Sequence, residues 1–428
     1  MTRLRAIYRE YPRRFWFVVL VSFIDKVGGT LMFPFFALYI TGKFHVGMTE
    51  AGTVLGMLSF FGLVGGVIGG GLTDRWGRRR LIMCGLVFSA LSTLALGFID
   101  EFRMFYAAAI VIGILSDIGG PAHGAMIADL LPERQRQEGF GVLRVAGNMA
   151  WIIGPTVGGF VANTSFFALF VIDAVVSCVV AILFYLLVPE TKPDRKAEVH
   201  GESMLATFRD YRVALRDAPF LAFLLASLLM GVVYIQMYNS LSVYLRNVHG
   251  ISPQRYGFLL TTSAITVILF QFWLIRLLRQ RPPFLMMAWG TAFYMVGFTM
   301  FGVVSAYWLF ASAIIVITVG EMIVVPTSQA LAAHFAPIDM RGRYMAMFAL
   351  SGGVSATFGP AAAGLIFDHY NPNLLWYVGG ILCAISVLAF YALHARLGSQ
   401  QRFAPVAQSP PLEPVAAAGL IATSVSDE

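Results

Sequence analysis

The sequence predicts an all-α membrane protein with twelve transmembrane helices, arranged in two six-helix pseudo-symmetric bundles. Composition, apolar run length and an internal repeat support this prediction. Of the 428 residues, 58% are hydrophobic and only 12% are charged, whereas soluble domains carry about 25% charged residues. A soluble protein of this length could not cover so much apolar surface. Lipid is therefore the expected solvent.

Continuous apolar runs indicate helices rather than a barrel. Each run is about 20 residues long, the length that a helix needs to cross a bilayer. Strands of a membrane barrel would instead alternate over segments of about ten residues. We place the predicted spans at 15–40, 51–73, 81–99, 104–130, 140–162, 166–187, 219–245, 256–278, 283–304, 306–336, 344–367 and 373–397.

Lysine and arginine residues predict the orientation. With twelve spans, 24 of these residues fall on the side that carries the N-terminus, four on the other side and two inside spans. Basic residues concentrate in cytoplasmic loops, so both termini are predicted to be cytoplasmic, in the plasma or inner membrane of the cell. The net charge of +7 is explained by these loops, and no nucleic-acid partner is expected.

The chain repeats itself with an offset of 205 residues. Nine positions carry the same residue in this register without a gap, and self-similarity at a fixed offset indicates duplicated structure. Because each half then holds six spans, the halves share one orientation in the membrane. The matching positions include Tyr39/Tyr244, Gly52/Gly257, Pro121/Pro326, Pro132/Pro337, Arg136/Arg341, Gly147/Gly352, Gly154-Pro155/Gly359-Pro360 and Gly159/Gly364.

The span pattern divides the chain into five regions. A cytoplasmic N-terminal segment covers 1–14, and the first six-helix bundle covers 15–187. A charged cytoplasmic linker at 188–218 leads to the second bundle at 219–397. The tail at 398–428 is rich in Pro, Ala, Ser and Gln, a composition that predicts disorder.

Two motifs give the chain its resemblance to a family. The loop after the second span reads GGLTDRWGRRR and resembles the G-x-L-a-D-R-x-G-R-[RK] loop of the major facilitator superfamily. The fifth span contains GPTVGG, which is similar to a motif of antiporters in that superfamily, and the whole chain resembles its twelve-span drug:proton antiporters. The matching residues are Gly70, Asp74, Arg75, Gly77 and Arg78 in the loop, and Arg144, Gly147, Gly154, Pro155, Gly158 and Gly159 in the fifth span.

The resemblance implies that the loop is a gate. Asp74 stands at the end of the second span, on the side where the eleventh span begins near Tyr344. A carboxylate at a helix N-terminus is stabilised by about 0.3–1 kcal/mol, and such a contact would lock the halves closed on the cytoplasmic side. The alternative is a solvated turn. One family feature is missing, because Gly113 occupies the place of an Arg found in many drug antiporters, and Asp117 follows one turn later.

Glycines recur every four residues in the second span, at Gly62, Gly66 and Gly70. Small residues at this spacing let helices approach closely. We expect them to serve helix packing, with a sliding surface between the halves as one possible use.

Several charges lie inside the predicted spans, where each costs at least about 2.5–3.5 kcal/mol. In the resembled family the first, fourth, seventh and tenth spans line a central cavity, and most of these charges fall on those spans. We predict proton coupling at Glu321, Asp25 and Asp117. We predict that the substrate cavity is lined by Lys26, Tyr234, Gln236, Tyr238, Asn239 and His123.

The chemistry of these acids suggests coupling. Burial favours the neutral form of a carboxyl group and a nearby cation favours the charged form, so proton and substrate can compete for one acid. The alternative is structural pairing: Asp25 with Lys26, and Arg144 with Asp117 or Asp129. Asp173, near the end of the sixth span, is expected to be a cap or a surface residue.

These observations predict a secondary active transporter that works by alternating access. The leading expectation is proton-coupled efflux of small amphipathic or cationic compounds by a monomer, and the alternative is a proton-symporting importer of a sugar, metabolite or other small solute. No enzyme motif, metal-ligand cluster or ATP-binding loop is found in the sequence. We therefore expect no enzymatic activity, no metal and no cofactor, with lipid, protons and a small-molecule substrate as partners.

Overall fold

The computed structural model describes residues 11–191, 214–278, 280–337 and 340–398, without the side chains of Asp74, Glu133, Arg134 and Gln137. Within these ranges the regular structure is helical and includes no strand. Twelve of its helical segments are long and apolar enough to cross a membrane, which confirms the predicted fold class.

The spans agree with their predicted positions to within a few residues. From the first to the twelfth they are Arg13–Phe44, Met48–Thr73, Arg78–Phe98, Phe102–Leu130, Glu138–Thr164, Phe166–Leu187, Ala218–Asn239, Pro253–Leu278, Pro283–Phe301, Tyr307–Phe335, Arg341–His369 and Asn373–Leu397. The helix of the second span continues to Trp76, and that of the fifth begins at Glu133.

Three spans are interrupted. The first contains a 3-10 turn at Phe33–Phe35, which includes Pro34. The fourth breaks between Ser116 and Gly120, just before Pro121. The seventh, predicted as one run to residue 245, ends at Asn239 and continues after Ser240 as the helix Leu241–His249. A proline removes a backbone donor and disfavours helix at the preceding residue, which accounts for the first two breaks.

The predicted regions beyond the bundles lie largely outside the described residues. This applies to most of the segment 1–14, to most of the linker 188–218 and to nearly all of the tail 398–428.

The repeat is visible in side-chain hydrogen bonds. The Tyr39 hydroxyl donates to the Leu96 carbonyl at 3.2 Å in the first half. The Tyr244 hydroxyl donates to the Phe301 carbonyl at 2.9 Å in the second half. Both donor and acceptor are shifted by 205 residues. The duplicated residues therefore build equivalent contacts within each bundle.

The two halves meet at one end of the molecule through another pair of equivalent contacts. Gly52 of the second span packs on the backbone of Pro360, and Gly257 of the eighth span packs on the backbone of Pro155. A Cβ on either glycine would lie under 3.0 Å from that backbone. We call these contacts the seam. They close one end of the molecule, which we call the far end.

The opposite end carries the loop Arg75–Arg80 and other basic connections, and we call it the basic end. Toward it the halves are not in such close contact. At Gly70, Gly71, Gly141, Gly147, Gly342 and Gly352, an added Cβ would meet no atom of the described residues within 4 Å. The cleft between the halves therefore opens toward the basic end.

The glycine repeat of the second span packs inside the first half. At Gly65 and Gly69 an added Cβ would lie under 3.0 Å from the backbone at Ile114 and Ile118 of the fourth span. These glycines therefore let the second and fourth spans touch backbone to backbone. The second span also meets the eleventh span of the other half, at Gly52, Gly56 and Leu63, so the suggested use of the repeat as a sliding surface between the halves stays a prediction.

Candidate functional site

A chamber on the second-half side of the cleft holds Glu321. It has a volume of about 270 Å³ and is walled by the fifth, seventh, eighth and tenth spans. We call it the Glu321 chamber. Its lining includes Arg144, Asn148, Trp151, Tyr234, Tyr238, Ser263, Gln271 and Glu321.

Glu321 is surrounded by polar groups from both halves. Tyr234, Tyr238 and Arg144 line the same chamber as its carboxyl group. The hydroxyls of Tyr234 and Tyr238 lie 3.1 Å apart. A carboxyl group in this position can hold a proton, exchange it through a phenol and respond to a cation that enters the chamber.

Arg144 links the two halves across this chamber. Its Nη1 donates to Oε1 of Gln329 in the tenth span at 3.3 Å. The suggested pairing of Arg144 with Asp129 is wrong, because Asp129 Oδ2 forms an ion pair with Nε of Arg78 at 3.0 Å. The fifth span points Arg144 into the cleft, while Asp129 lies at the basic end of the fourth span.

A second chamber lies on the first-half side of the cleft. It has a volume of about 660 Å³, and Asp117 and Asp173 both line it. We call it the Asp117 chamber. Its wall is mainly apolar, with hydroxyls from Ser59, Ser89, Ser92, Thr93 and Ser116 and an amide from Asn239.

The break in the fourth span exposes Asp117. The helix ends at Ser116, and Asp117 itself has non-helical backbone angles. Its carboxylate lies beside Gly66 and Gly120, where added Cβ atoms would crowd it. The interruption at Pro121 therefore presents this acid to the chamber.

Asp173 is the site residue that the sequence analysis missed. It is only 6% exposed, so it is neither a surface residue nor a cap. Its carboxylate packs on Gly28 of the first span, where an added Cβ would lie 2.8 Å from Oδ1. Asp25 lies in the first span, about one turn before Gly28. It is close enough to interact electrostatically with both Asp173 and Lys26. The unusual cost of an acid in an apolar span was the available signal.

Lys26 faces a third cavity of about 420 Å³ between the first and fifth spans, and Arg144 and Trp151 share this cavity. Three aromatic rings stand where the cavities approach one another. Trp151 lies 4.9 Å from Tyr238 and 6.2 Å from Phe33, measured between ring centroids. These rings come from the first, fifth and seventh spans, so they form an aromatic partition between the halves.

Two residues predicted for the substrate cavity, Gln236 and His123, line none of these three cavities. Gln236 is 3% exposed and bonds within its own helix, to the Val232 carbonyl and to Ser240. His123 packs against Phe184 inside the first half. This corrects both assignments: the faces of the fourth and seventh spans that carry these side chains turn away from the cleft.

The loop motif makes its described contacts within the first half. Gly77, with φ at 95°, allows the sharp turn between the second and third spans. Glu190 caps the third span by accepting from the Arg78 backbone N–H at 2.9 Å. Arg75 is exposed and Gly70 borders open space. The side chain of Asp74 lies outside the described part of the chain, so its contact with the eleventh span stays a prediction.

The fifth-span motif packs against the first span and the seam. Added Cβ atoms at Gly154 and Gly158 would lie under 3.0 Å from Thr30 and from the Leu31 backbone. Gly159 instead faces the Pro253 carbonyl of the other half, at 3.0 Å from its Cβ position. Gly147 borders the third cavity, which Lys26 also lines. The motif therefore allows close approach of helices, mainly toward the far end.

A comparison with protein families matches the Major Facilitator Superfamily over residues 18–353 and 240–425. The MFS-type transporter YttB of Bacillus subtilis (strain 168) is 26% identical over 91% of this chain and 97% of its own length. A Na(+), Li(+), K(+)/H(+) antiporter of Planococcus maritimus is 26% identical over 75% of this chain and 81% of its own. The multidrug resistance protein MdtH of Shigella flexneri is 22% identical over 87% and 92%.

Solved structures share the fold. A crystal structure of the nucleoside transporter NupG superimposes with a TM-score of 0.74 at 14% identity, covering 89% of this chain and 99% of that one. A crystal structure of the peptide transporter POT in complex with sulfate superimposes with a TM-score of 0.75 at 16% identity, covering 92% of this chain and 96% of that one.

Proposed function

Because the chain belongs to the major facilitator superfamily, we propose that it is a secondary active transporter that exports small amphipathic or cationic compounds in exchange for protons. The observation that carries this proposal is the position of Glu321. Its carboxyl group borders a chamber in the cleft between the halves, beside a tyrosine pair and an arginine from the opposite half.

The geometry supports coupling through this acid. A carboxyl group shielded from water favours its protonated form, and a cation close by favours the ionised form. A cationic substrate that enters the Glu321 chamber would displace the proton, and a proton arriving from the other side would displace the substrate. Tyr234 and Arg144 take part in this exchange, because both line the chamber that holds the carboxyl group.

The acids of the first half extend the proposal. Asp117 borders the larger, mostly apolar chamber, with Asp173 in its wall. An apolar wall with carboxylates suits a compound that carries both a hydrophobic body and a positive charge. Asp25 is proposed as a second proton carrier because it stands beside Asp173 and Lys26.

We also propose the orientation and state of the protein. The basic end faces the cytoplasm, since basic loops remain on that side, so both termini are cytoplasmic and the protein lies in the plasma or inner membrane. The closed seam and the cleft toward the basic end then correspond to a cytoplasm-open stage of alternating access. A single chain contains both halves of the cleft, so a monomer suffices.

A proton-symporting importer is the second candidate. The cavity that holds Lys26 and Arg144 favours it, since two cations there would attract an anionic metabolite. The exporter is preferred because two cavities of the cleft, the Glu321 chamber and the Asp117 chamber, are lined by acids.

Transport by the purified protein in liposomes tests the proposal. Labelled organic cations, organic anions, sugars and monovalent metal ions are offered under proton gradients of either sign. The exporter predicts that an organic cation accumulates in the compartment from which protons leave. Accumulation of an anion or sugar together with protons would contradict efflux and favour the importer.

A further inference from the structure

Asp368 reaches from one half of the protein to the other at the far end. It belongs to the eleventh span, one residue before the helix ends at His369. Its Oδ1 accepts from the Met48 backbone N–H at 2.9 Å, and its Oδ2 accepts from the Thr49 N–H at 2.7 Å. The Thr49 hydroxyl also donates to Oδ2 at 2.6 Å. One carboxylate thus takes three hydrogen bonds across the seam.

These bonds complete the N-terminus of the second span. The first turn of a helix has N–H groups without helical partners, and a carboxylate there also meets the positive end of the helix dipole. Gly47 at the cap position supplies no side-chain cap of its own. A Cβ on Gly47 would lie 2.5 Å from Asp368 Oδ2. The second span therefore takes its cap from the opposite half.

The position of Asp368 in its own helix is unfavourable without this partner. An acid in the last turn lies near the negative end of its helix dipole. The eleventh span also approaches the second span very closely here, since an added Cβ at Gly364 would lie 2.5 Å from the Thr49 backbone. The acid thus gains its stabilisation only while the far end is closed.

Among the described residues, the equivalent place on the other side of the seam shows no such bond. By the 205-residue offset, Asp368 corresponds to Asn163 and Met48 to Pro253. Pro253 has no N–H to donate, and the eighth span is capped locally by Ser252, whose Oγ accepts from the Arg255 N–H at 3.4 Å. The carboxylate contact is therefore one-sided, although the helices around it are duplicated.

We propose that Asp368 is the far-end latch of the transport cycle. Its carboxylate holds the halves together while the basic end is open, and it leaves the N-terminus of the second span when the far end opens. The same antiparallel helix pair carries Asp74 near the other end of the second span, where the eleventh span begins at Arg341. The proposal requires no particular substrate and no proton coupling.

Distance measurements between spin labels test the latch. In full-length protein without its three native cysteines, one label pair replaces Glu101 and Ser305 at the far end. A second pair replaces Arg80 and Arg281 at the basic end. Asp368→Asn keeps the side-chain shape but removes the charge. We expect the population with a long far-end distance to rise about tenfold or more, because charge-assisted hydrogen bonds are lost, while the basic-end distance shortens.

Two further variants test whether the change in distances comes from the contact of Asp368 with the second span. Asp217→Asn is the matched control, because Asp217 caps the seventh span within its own half, accepting from the Phe220 N–H at 3.1 Å; it should leave both distances unchanged. Thr49→Val removes only the hydroxyl donor and should shift them in the same direction, by less. The latch is refuted if neither Asp368→Asn nor Thr49→Val moves the distances, or if Asp217→Asn moves them as far.

Discussion

The two halves of this transporter share a scaffold but not their charges. Tyr39 and Tyr244 make equivalent hydrogen bonds, and Gly52 and Gly257 make equivalent seam contacts. The acids behave differently: at an offset of 205, Asp25 corresponds to Met230, Asp173 to Val378, and Glu321 to Ser116. Duplication therefore accounts for the shape that opens and closes, whereas the chemistry in the cleft belongs to one half or the other.

The strongest test of the shared scaffold is the glycine pair of the seam. Gly52→Ala and Gly257→Ala each place a Cβ under 3.0 Å from the backbone of Pro360 or Pro155. Overpacking of this kind costs about 1–3 kcal/mol, so the far end should close poorly and transport should fall about tenfold or more in both variants. Transport rates in liposomes measure this.

Gly71→Ala is the control for that pair, since a Cβ there meets nothing within 4 Å in the part of the chain that the structure describes, and transport should be unchanged. A normal rate for Gly257→Ala beside a slow Gly52→Ala would show that the two seam contacts are not equivalent in function.

The next largest expected effect concerns an acid that has no counterpart in the other half. Asp173→Asn removes a negative charge beside Asp25. Because the Asp117 chamber then keeps its shape but loses one of its two carboxyl groups, the pH profile of transport should shift while the maximal rate changes by only a few fold. The pH dependence of transport in liposomes is the readout. An unshifted profile would separate Asp173 from the coupling site.

The smallest effect concerns stability. Tyr39→Phe and Tyr244→Phe each remove hydroxyl hydrogen bonds, typically worth about 0.5–1.5 kcal/mol apiece. Tyr244→Phe should lower the melting temperature more, because its hydroxyl also bonds Asn373 Oδ1 at 2.8 Å. Thermal unfolding in detergent checks the order, and the reverse order would contradict the contacts described for the second half.

The sequence was sufficient for the spans, and the repeat marked positions that form the seam. Hydropathy identifies a membrane helix because every face of it is apolar. For the same reason hydropathy does not reveal which face turns inward, so Gln236 and His123 were wrongly assigned to the cavity. The sequence predicts that the glycines of the second span are packing residues. It does not predict that they pack on the fourth span, which only the three-dimensional structure shows.

Asp173 and Asp368 show the same limit. Both were visible as acids in or near spans, and their cost predicts that each needs a reason. For Asp368 the reason is a tertiary contact with the N-terminus of the second span, and Asp173 packs on Gly28 of the first span. No local pattern identifies such partners, because they lie on other helices or in the other half.

Glu321→Gln offers the most direct measurement of the central claim, which is that proton coupling depends on this acid. In liposomes, transport driven by a proton gradient is compared with exchange of labelled for unlabelled substrate without a gradient. We predict that the variant loses gradient-driven transport, because the amide cannot carry the proton, and that exchange slows but persists, because the acids that line the Asp117 chamber still attract the cation. Gradient-driven transport at the unsubstituted rate would contradict the account.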